Sequence, residues 1–192
     1  MNNKKIKLIS IFIFLIANTV CCALSVINGD ANLLRIIGSY VAFAAVSILL
    51  WRFPLSVQIS FLTFVLLASS LGSVLCLYAK LNFFDKIVHY LSGIVLAFAG
   101  FYIAKILLNK REIADNGDFF KNTIAFLFSC SCAAFWEIYE FTVDNLLGME
   151  SQGNNQNTMG DIIAGVLGAV TYLIVYVVVR RIKFKNKHKR LQ

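Results

Sequence analysis

Six apolar blocks, each about 20 residues long, run through this chain with only short polar or charged segments between them. An α-helix rising ~1.5 Å per residue needs about 20 residues to cross ~30 Å of hydrocarbon. Inside a bilayer every backbone N–H and C=O must find a partner within the protein, which leaves helices or closed barrels. The apolar residues come in continuous blocks and do not alternate with polar ones, so the expectation is helices. With 59% apolar and 15% charged residues and a mean hydropathy of +0.75, the chain has more apolar surface than one small water-exposed domain can bury. A soluble globular enzyme and a disordered chain are both excluded. The predicted fold class is all-α: a polytopic membrane protein, a bundle of six transmembrane helices forming a single domain over residues 1–192. The spans are expected at 6–27, 33–51, 56–79, 87–108, 122–147 and 161–179, with a basic cytoplasmic tail at 180–192. The first block is too long for a signal-peptide core and no small-x-small site closes it, so it is expected to be retained as a helix.

Charge sets the expected orientation. Fifteen of the 18 Lys and Arg residues fall at one set of ends, among them Lys4, Lys5, Lys7, Arg52, Lys110, Arg111 and the run from Arg180 to Arg190. Only Arg35, Lys80 and Lys86 fall at the other. Cytoplasmic loops keep the positive charge, so both termini are expected inside, an N-in/C-in topology. The net charge of +8 is then explained by membrane anchoring and contact with anionic lipid, and no nucleic-acid partner is expected. The five cysteines all lie in apolar stretches without a CxxC pair and read as small packing residues.

Acidic residues show the opposite asymmetry. Glu112, Asp115 and Asp118 sit in the loop before the fifth block, while Asp30, Asp85, Glu137, Glu140, Asp144, Glu150 and Asp161 fall in the outer half or outside. Glu137, Glu140 and Asp144 are spaced i, i+3, i+7 and share one helical face. A charge at mid-bilayer costs ~2.5–3.5 kcal/mol on insertion scales, so such a face must look into protein or water. The fourth block opens with Asp85 and His89 at i, i+4, followed by Ser92. The sixth opens with Asn157, Thr158 and Asp161, followed by Gly165 and Gly168, small residues that permit close helix approach. Asn157 or Thr158 is expected to cap this helix, with Asp161 in its first turn. Three helix ends are thus expected to bring Asp85, His89, Glu140, Asp144 and Asp161 to one level, with His89 hydrogen-bonded to Glu140 or Asp144. The competing explanation is that these groups are interhelical hydrogen bonds that hold the bundle together.

Asp85-Lys86-x-x-His89, Trp136-Glu137-x-x-Glu140 with Asp144, and Asn157-Thr158-Met159-Gly160-Asp161 with Gly165 and Gly168 together resemble the bacterial YjdF-like family of uncharacterised inner-membrane proteins. More distantly they are similar to the VanZ-like family. The resemblance covers about half of the chain and implies a multi-pass protein of the bacterial plasma membrane, without assigning an activity. From the residues themselves, two classes of function remain. One is an activity on an envelope or lipid-linked substrate at an outward-facing acidic/His site, with His89, Glu137 and Glu140 as catalytic candidates. The other is a small transporter or a cation- or proton-binding membrane protein. Asp85, Asp144, Asn157 and Asp161 are the candidate substrate- or ion-binding residues. A divalent cation is the candidate cofactor, with His89, Glu140, Asp144 and Asp161 as its candidate ligands. The expected partners are membrane lipids and an envelope or lipid-linked small molecule. No nucleophile-elbow or zincin motif is present.

Overall fold

The structure is a computed structural model that describes residues 3–110, 117–148 and 151–189, and these are organised by helices alone. Arg111, Glu112, Asp115, Glu150 and Arg190, used in the charge reading, lie outside the described residues. The helices are α1 (Asn3–Ile27), α2 (Leu33–Leu49), α3 (Leu55–Val65) continuing as a π-helical stretch (Leu66–Val74), α4 (Leu77–Lys80), α5 (Phe84–Lys110), α6 (Gly117–Leu147) and α7 (Asn155–Lys189). Among the described residues, five helical segments are long and apolar enough to cross a membrane: α1, α3 with its π-helical continuation, α5, α6 and α7. The second expected span corresponds to α2, whose 17 residues reach only ~25 Å.

Local chemistry sets the helix ends. Gly29 at φ 75° ends α1, and the Asn32 side chain caps α2 by accepting the Arg35 N–H at 3.1 Å. Pro54 precedes α3, where a fixed φ and a missing N–H cost nothing. The third span was expected to run to residue 79. It stops at Val74, because the wider π turn leads into Cys76 in the left-handed region at φ 60°. At the C-terminal end the expected tail is helical: α7 carries the basic residues on to Lys189 as a continuation of the last span.

Close packing groups the chain into two compact units, Met1–Val88 and His89–Gln192. In the first, Phe43, Leu62 and Val65 form a core with Ile11, Phe14 and Leu15 of α1 packed against it. Buried polar groups pair inside it: the Ser70 hydroxyl donates to Asn18 Oδ1 at 2.7 Å. At one end of this unit the Lys7 ammonium donates to the carbonyls of Trp51 and Phe53, at 2.7 and 2.6 Å. At the other end Lys80 pairs with Asp30 at 2.5 Å, and Arg35 donates to the Cys76 sulfur at 3.0 Å.

The second unit holds α6, α7 and α5 from His89 onward. Its α6 buries Lys121, Ala125, Ser129, Ala133 and Glu137, one residue every four, along a single face. Small residues let the three backbones touch. A Cβ on Gly93 would lie 2.0 Å from the Gly165 carbonyl oxygen, and one on Gly168 would lie 2.0 Å from that of Tyr90. The Ser129 hydroxyl donates to the Gly93 carbonyl at 2.9 Å, and the Tyr90 and Thr171 hydroxyls bond at 2.8 Å. Without a strong hydrophobic force between helices in lipid, such close backbone contact and interhelical hydrogen bonding supply the cohesion.

Candidate functional site

The close crossing of α5 with α7 places polar residues beside one another just past the glycines. His89 lies one turn before Gly93 on α5, Asp161 lies one turn before Gly165 on α7, and Glu137 lies one turn after Ala133 on α6. All three are buried, with exposures of 8%, 1% and 3%. The imidazole lies between the carboxylates: Nδ1 is 4.0 Å from Glu137 Oε1 and Nε2 is 3.9 Å from Asp161 Oδ1. Asp161 is held from its other side, where Oδ2 accepts the Asn157 amide at 2.8 Å. The same amide reaches the Gln152 carbonyl at 3.3 Å, which ties the site to the loop before α7.

Of the residues expected at one level, His89 and Asp161 lie beside one another. His89, Asp161 and Asn157 come together, and the carboxylate facing Nδ1 is Glu137. Asp144 departs from its expected place beside His89. It accepts the backbone N–H groups of Ser151 and Gln152 at 2.8 to 3.0 Å and closes the α6–α7 connection. Loop amides whose α6 and α7 ends are fixed need an acceptor, and Asp144 in the last turn of α6 is within reach. Glu140 accepts the Trp136 indole N–H at 2.8 Å on the same helix. Asp85 lies on α5 one turn before His89, at the end of the first unit. The Ser92 hydroxyl turns back to the His89 carbonyl at 2.6 Å.

The cap assignment also changes. Helix α7 begins at Asn155, and Asn154 caps it by accepting the Asn157 N–H at 2.9 Å. Asp161 is the seventh residue of the helix, ~9 Å from its start and beyond the first turn, whose amides are the ones a cap serves. Its burial beside His89 is therefore not explained by capping.

Sequence reading missed Ser129 and Gly93, which fix the α5–α6 register, and the buried Lys121. The available signal was the period of four in Ala125, Ser129 and Ala133, which ends on Glu137. The i, i+3, i+7 grouping of the acids drew attention to a different face.

Chemically, an imidazole with a carboxylate at each nitrogen has a defined polarity. If Nδ1 carries the proton toward Glu137, the Nε2 lone pair faces Asp161. Two buried carboxylates also repel unless a proton or cation compensates them.

A 34% identical relative from Thermotoga maritima, described as an uncharacterized protein, aligns over 114 residues, 58% of this chain. The chain spans about 57% of the length of that curated relative. No solved structure matches. Residues 6–182 match the model of a family described as predicted membrane protein (DUF2238). Helices with the length and apolarity of membrane spans agree with that match, and the chain belongs to this family of predicted membrane proteins.

Proposed function

We propose that the protein is a divalent-cation-binding membrane protein in which His89 Nε2 and Asp161 supply ligands and Glu137 orients the imidazole from behind. The arrangement of Glu137, His89 and Asp161 in one buried line carries the reading. Ligands ~2.1 Å from one ion lie ~3.0 to 3.4 Å apart in octahedral or tetrahedral geometry. The 3.9 Å gap between Nε2 and Asp161 Oδ1 closes to that separation with small side-chain adjustments. Asn157 plays for Asp161 the part that Glu137 plays for His89, by fixing the carboxylate that faces the ion. A mixed nitrogen and oxygen donor set suits Mn²⁺ or Zn²⁺ better than a soft ion.

The proposal includes the N-in/C-in orientation in a bacterial plasma membrane, with the site in the outer half, and a kinship with YjdF-like proteins within the family. Its support is the basic-residue asymmetry. In the first unit Lys7 meets the Trp51–Phe53 turn, while Asp30, Arg35 and Lys80 gather at the opposite end, as an alternating topology requires.

The test is calorimetric titration of the full chain in nanodiscs with Mn²⁺ and Zn²⁺. Saturable binding near one ion per chain is expected, lost in His89→Ala and Asp161→Asn and weakened roughly 10- to 100-fold in Glu137→Gln. Binding that survives both His89→Ala and Asp161→Asn refutes the site.

A further inference from the structure

The second unit carries another polar feature at the far end of its helices, where α6 begins and α7 leaves the apolar run. Asp118 in the first turn of α6 lies 2.6 Å from Arg180 and 3.3 Å from Lys121, and it also bonds the Tyr176 hydroxyl. One carboxylate is thus shared between two cations. Arg181 adds a third, with no ion pair among the described residues, so the group holds a net charge of +2. Below it a groove of about 580 Å³ runs between α6 and α7, walled by Phe126, Leu173 and Val177 and open at the surface. Asn122 lies in the same groove: its amide donates to the Asp118 carbonyl at 2.7 Å, and its buried Oδ1 has no hydrogen-bond partner.

We propose that this groove is a binding site for an anionic glycerophospholipid. The phosphate sits on Arg180 and Arg181, and an acyl chain lies along Phe126, Leu173 and Val177. Several features favour this occupant. The arginines directly follow Val179, at the level where an apolar span gives way to headgroups. Arg180 uses one nitrogen on Asp118, and the rest of its five-donor fork remains for a phosphate. The site is independent of the His89 centre, so either reading can fail alone.

Native mass spectrometry of the detergent-purified full chain, offered equimolar phosphatidylglycerol and phosphatidylcholine, tests this. Retention of phosphatidylglycerol at least ~10-fold above phosphatidylcholine is expected. Arg180→Gln with Arg181→Gln should abolish the preference, while Lys183→Gln with Lys185→Gln should keep it. Val177→Trp, which leaves every charge in place, should lower retention by filling the groove. Glycerol phosphate at millimolar concentration should not compete, because it lacks the chain. Equal loss in the two charge-removing pairs would show a diffuse basic surface and overturn the proposal. A lipid-independent dimer blocked by Val177→Trp would place a second copy in the groove and overturn it as well.

Discussion

Gly168→Ala is a one-methyl change whose consequence follows from the α5–α7 crossing. The added Cβ would lie 2.0 Å from the Tyr90 carbonyl oxygen, where ordinary van der Waals contact begins near 3.4 Å. It would also lie 3.1 Å from the Gly93 Cα, so backbone blocks it on two sides and no side chain can swing away. The helices must separate by about 1.4 Å, or α7 must rotate. Overpacking of this kind costs ~1–3 kcal/mol, and the upper part of that range applies because rigid backbone is what must move. The same displacement carries His89 and Asp161 apart, since each lies within two turns of the crossing, and widens their 3.9 Å separation beyond 5 Å (roughly the sum of gap and shift). Two readouts follow. Thermal unfolding in detergent, followed by circular dichroism, should fall by several degrees. Mn²⁺ affinity should fall at least ~10-fold in protein that is still folded. Gly38→Ala in α2, where an added Cβ meets nothing within 4 Å, serves as control and should be neutral or stabilising by ~0.5–1 kcal/mol. If Gly168→Ala melts with the wild type and binds metal as well, the crossing does not set the site geometry and the reasoning fails.

Asp144→Ala should loosen the α6–α7 connection, increasing protease cleavage near Ser151 while leaving Mn²⁺ affinity within ~3-fold; a complete loss of binding would return Asp144 to the site. Single cysteines at Asn154 and Asn116 in a cysteine-free chain should divide by side, with an impermeant reagent labelling Asn154 alone in intact cells; the reverse pattern inverts the topology. Lys80 lies outside the membrane-spanning helices, and its hydrogen bond to Asp30 holds its pKa above the ordinary 10.5. A raised folded pKa means the pair's contribution is complete below pH 10.5 and fades as pH climbs through the folded value. The melting-temperature difference between wild type and Lys80→Met should therefore hold steady from about pH 7 to 9.5 and shrink above about 10.5, whereas a flat difference to about pH 11.5 would mean the pair does not titrate as read.

The all-helical membrane class was legible in the sequence because bilayer thickness and backbone hydrogen bonding admit so few alternatives to long apolar blocks. His89, Asp161 and Glu137 were legible as candidates for the same reason: ionisable groups in apolar segments stand out against their cost. Their partners were not legible. Spacing places residues on faces of a helix, but which face is buried depends on the neighbouring helices. The three acids of α6 fit one face, yet packing buries the stripe from Lys121 to Glu137, because Ala125, Ser129 and Ala133 admit the glycines of α5 and α7. Asp144 was equally available to a metal or a loop, and the path of the chain through Ser151 and Gln152 decided for the loop. The chain's own chemistry thus determined its solvent and its costly residues. The helix crossing at Gly93, Gly165 and Gly168 decided which of those residues meet, since backbone contact at that point leaves one relative placement of His89 and Asp161.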